Sequence, residues 1–526
     1  MTTQPSRKEH DPCRHDVRKD TVMTVYRDYT RARIGWFFGL TGLQLGLLAT
    51  AVLPVAWSIS QQDWAAVGLS ILGWGVLFGI VAVPVRGRSM TGWITSTVSL
   101  AAGTLAGWTR FRARATTGQA RPHEQEQEQV DLPGILASVV IHEGPPTGHS
   151  HRRVALIQNH SMRTWAVTAS IVHPGLGMAE AEDREVYGQG LAELLDAAVR
   201  AELACEVIFM VRTVPEDGAE RADWVRRHRT GNAPAQVSAI NDDLHESLTA
   251  ATVRTEQYVT VVVPESRLGK VAREYGGGID GRARALYGTM TEVESHLRGG
   301  LGVSSVEWLT SRQLAIACRT GFAPGDRATI IDALAASQTD DDVNTDVPWE
   351  MAGPSGADAA VRHYSHDAWN SVSSTVKLPV KGAAMGALAP VLSAHQDGER
   401  RSFMVCYPLV PPGRADRQSA NSEFGADLGQ SLRVAARMKQ RTKDVDESQK
   451  VRALESKLAR GNSLTVPYAV ATVTVPKTVR AAEAGRRLDS SIRRAGFAPL
   501  RLDLAHDVAF AASVVPMGIS LTRKAS

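Results

Sequence analysis

The sequence is poor in cysteine and carries little net charge. Only four of its 526 residues are cysteine (Cys13, Cys205, Cys318 and Cys406), and they form no CxxC pair. A disulfide framework is therefore not expected, and free thiols in a reducing compartment are the default. The formal net charge of +4 is too small to indicate a nucleic-acid partner, so no sequence-specific binding to nucleic acid is expected.

Motifs that bind nucleotides or carry a catalytic nucleophile are also missing. No stretch reads GxxxxGK[ST], and the glycine-rich stretch 276–281 is not followed by Lys-Ser or Lys-Thr. Residues 353–356 read GPSG, which departs from the GxSxG nucleophile elbow. The sequence therefore predicts no cofactor and no enzymatic activity.

Two groups of histidines are the remaining candidates for a metal or catalytic site. The first lies in a Gly-Pro loop without cysteine or carboxylate at a recognised ligand spacing, and the second has no nucleophile placed beside it. We predict neither a metal site nor catalytic residues. The side chains considered are His142, His149, His151 and His160 in the first group, and His363, His366 and Asp367 in the second.

Long runs without charge are the most informative feature that is present. Residues 34–59 and 64–85 contain no charged side chain, and a bilayer is crossed by about 20 apolar helical residues. We therefore predict a transmembrane helical hairpin over residues 31–88. A cleaved signal peptide and a buried soluble hairpin are the alternatives.

Arginine and tryptophan residues border these runs. Positive charge flanks both outer ends and is absent from the turn between the runs, so the positive-inside rule places both termini in the cytoplasm of a two-span protein of the cell membrane. Tryptophan rings near the ends would lie among lipid headgroups. The predicted membrane-flanking residues are Arg31, Arg33, Arg86, Arg88, Trp36, Trp57 and Trp64.

A third uncharged stretch, residues 89–109, is diluted by Ser, Thr and Gly and is followed by Arg110, Arg112 and Arg114. A third span would leave these arginines on the wrong side of the membrane. We therefore predict an interfacial amphipathic helix over residues 89–115. The alternative of a third span stays open.

The rest of the sequence predicts a polar tail, a polar linker and two α+β cytosolic domains. Residues 1–30 indicate a disordered tail, in which Met23 is an alternative start, and residues 116–134 a linker. Thr164 to Val172 predicts a strand, 183–202 a helix and 205–211 a strand. Repetition of such strand-helix-strand units predicts mixed or antiparallel sheets in domains 135–345 and 346–526.

A long segment in the second domain stands out. Residues 422–460 contain no proline, and a helix of that length would extend about 58 Å. Phe424, Leu428 and Leu432 follow each other at intervals of four, which gives a helix one apolar stripe. The segment is interpreted either as a partner-docking arm or as a solvated helix without a partner.

Four stretches of the chain carry a resemblance to a known family: TVYRDYTRARIGWFFGL, RGRSMTGWITS, HYSHDAWNSVSS and AGFAPLRLDLAHDVAFAASVVPMGI. Together they resemble the actinobacterial PrgI-like integral membrane proteins of conjugative, type IV secretion-like systems. The resemblance implies a two-helix membrane element fused to a soluble part similar to the non-catalytic N-terminal domain of the conjugative ATPase. It also implies a non-enzymatic component that docks a cytoplasmic secretion ATPase, with the bilayer and other membrane channel components as further partners.

Two other functions stay open at this point. A type VII secretion membrane component of the EccE kind also places a helix pair before a cytosolic α+β part. A membrane-anchored enzyme is disfavoured by the missing motifs. The transported substrate and the stoichiometry do not follow from the residues.

Overall fold

A computed structural model gives the architecture of part of the chain. It describes residues 25–26, 46, 48–82, 84–85, 88–107, 109–118, 130–148, 151–176, 179–215, 219–228, 230, 232–251, 253–338, 340, 342–379, 382–394, 396, 398–411, 413, 415, 453–454 and 456–522.

Helices and strands alternate along these residues. The helices are α1 (Leu53–Ser60), α2 (Trp64–Ala82), α3 (Met90–Ala106), α4 (Arg114–Thr117), α5 (Ala181–Arg200), α6 (Ala219–His228), α7 (Ala235–Ala251), α8 (Glu265–Glu274), α9 (Gly278–Gly299), α10 (Ser311–Phe322), α11 (Arg327–Ala336), α12 (Ala389–Leu392), α13 (Ala481–Arg494) and α14 (His506–Val514). The strands are β1 (Val25–Tyr26), β2 (Pro84–Val85), β3 (Arg88–Ser89), β4 (Phe111–Arg112), β5 (Val139–Thr147), β6 (Arg152–Asn159), β7 (Thr164–Val172), β8 (Glu206–Pro215), β9 (Val253–Pro264), β10 (Ser305–Trp308), β11 (Gly356–Ala357), β12 (Tyr364–His366), β13 (Trp369–Lys377), β14 (Ala383–Ala384), β15 (Arg400–Val410), β16 (Leu464–Thr465), β17 (Tyr468–Pro476) and β18 (Ala498–Arg501).

One antiparallel sheet of 14 strands organises the molecule. Its main path runs β4-β11-β12-β13-β17-β15-β8-β9-β7-β6-β5, and β10, β16 and β18 pair with β7, β15 and β13. Strands that are close in sequence mostly lie close in the sheet, but the central pair β8 and β15 joins segments almost 200 residues apart. The sheet therefore runs through both predicted domains, and the division at residue 345 stays a prediction.

The centre of the sheet is built from two units of identical topology. In the first, β7, β8, β9 and β10 lie in the spatial order β10-β7-β9-β8, with α5 after the first strand and α8 and α9 after the third. In the second, β13, β15, β17 and β18 lie in the order β18-β13-β17-β15, with α12 and α13 at the same two places. Each is a split βαβ unit of the ferredoxin-like kind.

The register of the strands agrees with this internal repeat. Pro264 ends β9 opposite Thr164, the first residue of β7, and Pro476 ends β17 opposite Trp369, the first residue of β13. The two third strands also share a sequence, TVVVP at 260–264 and TVTVP at 472–476. Proline ends both strands because it has no backbone N–H to donate to the ladder.

Both units carry an insertion between their second and third strands. The first insertion, residues 216–252, contains α6 and α7, and the second comprises residues 411–463. Because β8 and β15 are antiparallel, the end of β8 lies beside the start of β15, where Thr213 is opposite Arg401. The two insertions therefore leave the sheet at opposite ends of this central pair.

Alternating side chains of the strands form the core on both faces of the sheet. Val259, Val261 and Val263 of β9 are fully buried and pack under the helices of the first unit, whereas Tyr258 and Val262 face α10 and α14 on the other side. A separate cluster of valines from β13 and β17 packs against α13. Full burial of a valine contributes about 1.5–3 kcal/mol, so these three clusters are the main stabilising feature of the sheet.

The predicted transmembrane hairpin is wrong. Among the residues that the structure describes, no helix has both the length and the apolar character needed to cross a membrane. The first charge-free run is interrupted by a turn at residues 51–52, and the eight-residue helix α1, with Pro54 in its first turn, rises only about 12 Å.

The predicted cell-membrane localisation with two spans and cytoplasmic termini depended on that hairpin and is corrected with it, as is the description of the chain as an integral membrane component of a secretion apparatus. Residues 89–115 do not form one interfacial helix either. They divide into α3, the short strand β4, which pairs with β11, and the start of α4. The predicted tail over residues 1–30, apart from β1, and the central part of the linker lie outside the described residues.

Candidate functional site

The first insertion places a helical hairpin outside the sheet. Its second helix, α7, begins after Pro234, whose carbonyl accepts hydrogen bonds from Val237 N at 2.9 Å and Ser238 N at 3.1 Å. Arg221 Nη2 of α6 donates to Asn241 Oδ1 of α7 at 3.2 Å. The Arg221–Asn241 bond joins the two helices.

Contacts of α6 also hold the hairpin against the body of the protein. Arg227 forms an ion pair with Asp223 one turn earlier, and its Nη1 donates to Gln338 Oε1, just beyond α11, at 3.0 Å. The hairpin therefore has a defined position on α11.

Among the described side chains of this hairpin, four large apolar ones are exposed. We call Trp224, Val237, Ile240 and Leu244 the hairpin patch; their exposed fractions are 58, 54, 66 and 45%. The three residues of α7 are spaced by three and four, so they lie on one face of the helix. The three side chains on α7 form an exposed apolar stripe, and an exposed apolar patch on a folded protein is typical of an interaction site.

The indole of Trp224, on α6, is held in place by its neighbour His228. Its ring stacks on the imidazole of His228 with centroids 4.4 Å apart and an interplanar angle of 18°. Nδ1 of His228 lies 2.8 Å from the carbonyl oxygen of Trp224, which fixes the position of the imidazole. A tryptophan that is already ordered loses little side-chain entropy when a partner covers it.

The predicted docking residues Phe424, Leu428 and Leu432 lie outside the described residues, so the stripe stays a prediction. The structure describes only the last part of the segment 422–460, where residues 456–459 are helical. After it, Ser463 N donates to Asp196 Oδ1 of α5 at 2.9 Å, which ties the end of the second insertion to the first unit.

Only three of the seven predicted membrane-flanking residues lie in the part of the chain that the structure describes, and they are on three different elements. Arg31, Arg33, Trp36 and Arg86 lie outside the described residues. Arg88 is in β3, opposite Val85 of β2. Trp57 of α1 and Trp64 at the start of α2 are both exposed.

His366 is enclosed by aromatic rings and has no exposed surface. Its imidazole lies 4.6 Å from the ring of Phe510, 5.1 Å from that of Tyr364 and 5.8 Å from that of Phe322. Its Nε2 lies 2.8 Å from Ser371 Oγ. Burial lowers the pKa of His366 to about 3, so the ring is neutral at physiological pH and acts as a packing residue.

The neighbours of His366 also make structural contacts. Asp367 accepts a hydrogen bond from Ser355 N at 2.6 Å and lies 3.4 Å from Arg319 Nη1. Burial lowers the pKa of His363. The run 363–367 therefore joins β12 to the turn before β11.

The histidines of the other group are separated. His142 stacks on Trp165 with ring centroids 5.3 Å apart, and its Nε2 lies 2.8 Å from Gln158 Oε1. His149 lies outside the described residues, while His151 is in the turn between β5 and β6. In the described part of the chain, no three metal-ligating side chains come together.

Sequence reasoning missed a buried charged network at the end of β8 and β9. Arg212 Nη2 lies 2.5 Å from Glu256 Oε2 and donates to Tyr258 Oη at 3.0 Å, and Arg327 Nε lies 3.4 Å from Glu256 Oε1. Although burial opposes ionisation, these arginines lower the pKa of Glu256, while burial raises the pKa of Tyr258 to about 12. A signal was present only at Arg212, which interrupts the apolar run of β8, since Glu256 stands among polar residues at the start of β9.

Comparison with known proteins gives no relative. No protein-family model matches the chain, and no curated protein matches it. The resemblance to PrgI-like proteins therefore depends on the quoted stretches alone.

Proposed function

We propose that this chain is a non-enzymatic docking component that holds a secretion-type ATPase through an amphipathic helix of that ATPase. The observation that carries the proposal is the hairpin patch, which presents four large apolar side chains on one insertion of the sheet. Alternatives in which these side chains serve the core of the protein itself are disfavoured by their exposure.

The geometry of the patch favours a helical partner. Val237, Ile240 and Leu244 form a stripe along α7, and such a stripe packs into the complementary groove of a second helix. Trp224 lies on the adjacent helix and provides a rigid aromatic anchor of the kind that dominates binding energy at interfaces. Asp243 is exposed on the same helix and favours a partner with a basic flank.

The partner to test first comes from the resemblance, which implies a conjugative secretion ATPase. The type VII alternative implies the ATPase of that system, and the same surface is available to it. The two are distinguished by which purified ATPase binds.

The experiment is a binding measurement between the purified full chain and each purified ATPase from the same genome. The double substitution Ile240→Asp, Leu244→Asp places charge within the patch, and we expect at least about a tenfold weaker Kd, which corresponds to 1.4 kcal/mol. Ala239→Asp, on the opposite side of α7, is the matched control and should leave the Kd unchanged. Equal affinity of wild type and the double variant, with both folded, would contradict the proposal.

A further inference from the structure

The exposed apolar side chains of the described residues are concentrated on the helices α1, α2 and α3. Thirteen of the 25 large apolar side chains that are exposed lie within residues 52–105, about a tenth of the chain. The hairpin patch accounts for only four of the others. Exposure on this scale indicates an interface, because a monomer in water rarely exposes a contiguous apolar patch larger than a few hundred Å².

One side of α2 packs against its neighbours. The helix contacts both α1 and α3. Val67 is buried on this side, and Trp74 donates from Nε1 to the carbonyl oxygen of Leu48 at 3.1 Å. The ring of Trp74 also stacks on that of Phe78, with centroids 5.4 Å apart. These contacts fix the orientation of α2 and determine which of its sides faces outward.

The outward side of α2 carries a groove without side chains. A helix turns by about 100° per residue, so Gly68, Gly75 and Gly79 lie within about 40° of one another around its axis. A methyl group added at any of these three positions would meet no atom within 4 Å. We call these three glycines the glycine furrow.

Large apolar side chains border the glycine furrow on both sides. Trp64 and Ile71 lie on one side of it, and Leu72 and Val76 lie on the other. These four side chains are between 54 and 77% exposed. The face therefore has the ridges and the groove by which two helices pack, and the furrow permits close approach of a second backbone.

The exposed area is sufficient for a stable interface. If a fully exposed aliphatic side chain presents about 100 Å² and an aromatic one about 200 Å², the thirteen side chains expose roughly 1,000 Å² of apolar area. A stable interface buries about 800 Å² on each partner. The open side of α2, with the adjoining exposed side chains of α1 and α3, therefore has the area that a dimer needs.

The lack of charge on this surface favours a second copy of the chain as the partner. None of the helices α1, α2 and α3 contains a charged side chain. A partner with charges on its contact face would bury them here without a counter-charge, which is costly. The same uncharged face on a second copy avoids that cost and offers ridges that fit the furrow.

We propose that α2 packs face to face against α2 of a second copy of this chain, which gives a closed dimer. In a twofold contact, Leu72 of each copy packs along the glycine furrow of the other, and the same residues serve on both sides. No residue of the hairpin patch takes part. The dimer is therefore independent of the docking function and presents two hairpin patches.

The test is the molar mass of the purified full chain, measured by light scattering after size-exclusion chromatography without detergent or lipid. Wild type should have twice the chain mass. Gly75→Leu fills the furrow and should weaken the dimer Kd at least tenfold, although its Cβ has open space within its own chain. Gly73→Leu is the matched control. Gly73 has the same open space on the same helix but lies about 160° around the axis from Gly75, so this variant should remain dimeric.

Leu72→Glu is the second variant and should also give monomers, because like charges would face each other across the twofold axis. The thermal unfolding transition of each variant is compared with that of the wild type, so loss of structure is not mistaken for loss of the dimer.

Four results would overturn the inference. A monomeric wild type would show that the face is not an interface between copies, and a dimer that both Gly75→Leu and Leu72→Glu leave intact would place the contact elsewhere. A molar mass that increases without limit with concentration would show non-specific apolar association. A monomer that floats with phosphatidylcholine vesicles would show that lipid, and not a second copy, covers the face.

Discussion

Met210 and Met404 lie directly opposite each other in the antiparallel pair of β8 and β15. Val211 faces Phe403 on one side of this pair, and Phe209 faces Val405 on the other, so the pairing is symmetric about the two methionines. A pseudo-twofold axis between the repeated units passes at this point. It accounts for the exit of the two insertions at opposite ends of the pair.

Removal of the Phe510 ring should destabilise the protein strongly. Phe510 has no exposed surface and contacts Phe322, Tyr364 and His366 between the sheet and α14. Phe510→Ala should lower the free energy of unfolding by about 3–5 kcal/mol, measured by urea denaturation. Tyr275→Ala, at a half-exposed ring, should change it by less than about 0.5 kcal/mol. Similar effects of the two changes would show that α14 is not packed as described.

The free energy of unfolding should decrease as the pH is lowered, because His366 is protonated in the unfolded state before it is protonated in the folded state. The pKa of His366 is about 3 in the folded state and near 6.5 when the chain is unfolded. The unfolded state binds the extra proton first, so this residue has no effect above about pH 6.5 and destabilises progressively as the pH falls toward 3, by up to about 1.4 kcal/mol per pH unit.

The control for this prediction is His366→Gln, which removes the titrating group. We expect the free energy of unfolding of this variant to depend less steeply on pH between 4 and 6.5 than that of the wild type. Parallel pH profiles of the two proteins would show that His366 is accessible to protons in the folded state.

Loss of the buried carboxylate of Glu256 should be costly. Glu256→Gln leaves Arg212 and Arg327 without their shared negative partner in a buried place, and removing one member of a buried ion pair costs about 3–5 kcal/mol. Asp346→Asn breaks the exposed pair with Arg312 and should cost less than about 1 kcal/mol. Equal Tm values for the two variants would contradict the importance assigned to the buried network.

The stripe predicted in the second insertion gives an independent prediction. If Leu428 and Leu432 contact the ATPase, then Leu428→Asp, Leu432→Asp should weaken its binding while the thermal transition of the chain stays in place. Gln440→Asp, in the polar middle of the same segment, is the matched control. If the double variant loses its thermal unfolding transition, the stripe belongs to the core of the protein. If the variant stays folded and binds the ATPase with unchanged affinity, docking is assigned to the first insertion alone.

The sequence predicts individual helices and strands better than it predicts which strands pair in the sheet. The strand Thr164–Val172 is confirmed with the same ends, because an uninterrupted run of β-branched and small apolar residues is a local signal. The helix predicted over residues 183–202 is found as α5, Ala181–Arg200, with its ends shifted by two residues. Local periodicity contains no information on pairing, so the contact of β8 with β15 was not predictable in this way.

The sequence contains only weak signals for the internal repeat and for the buried charged network. The matching segments TVVVP and TVTVP indicate the internal repeat, but five residues become convincing only when both are seen to end the third strand of a unit. Arg212 and Glu256 are 44 residues apart in sequence, and only the folded sheet shows that they pair. The hairpin patch was missed because α7 has an ordinary amphipathic pattern, and its exposure depends on what packs around it.

The most direct measurement of the docking account is site-specific photo-crosslinking from the hairpin patch. A photoreactive amino acid is placed either at Ile240 or at Ala239 of the full chain, and each protein is irradiated in the presence of the purified secretion ATPase. The account predicts a crosslink to the ATPase from position 240 and little or none from position 239. A complex that forms but crosslinks only from position 239, or from neither position, would contradict it.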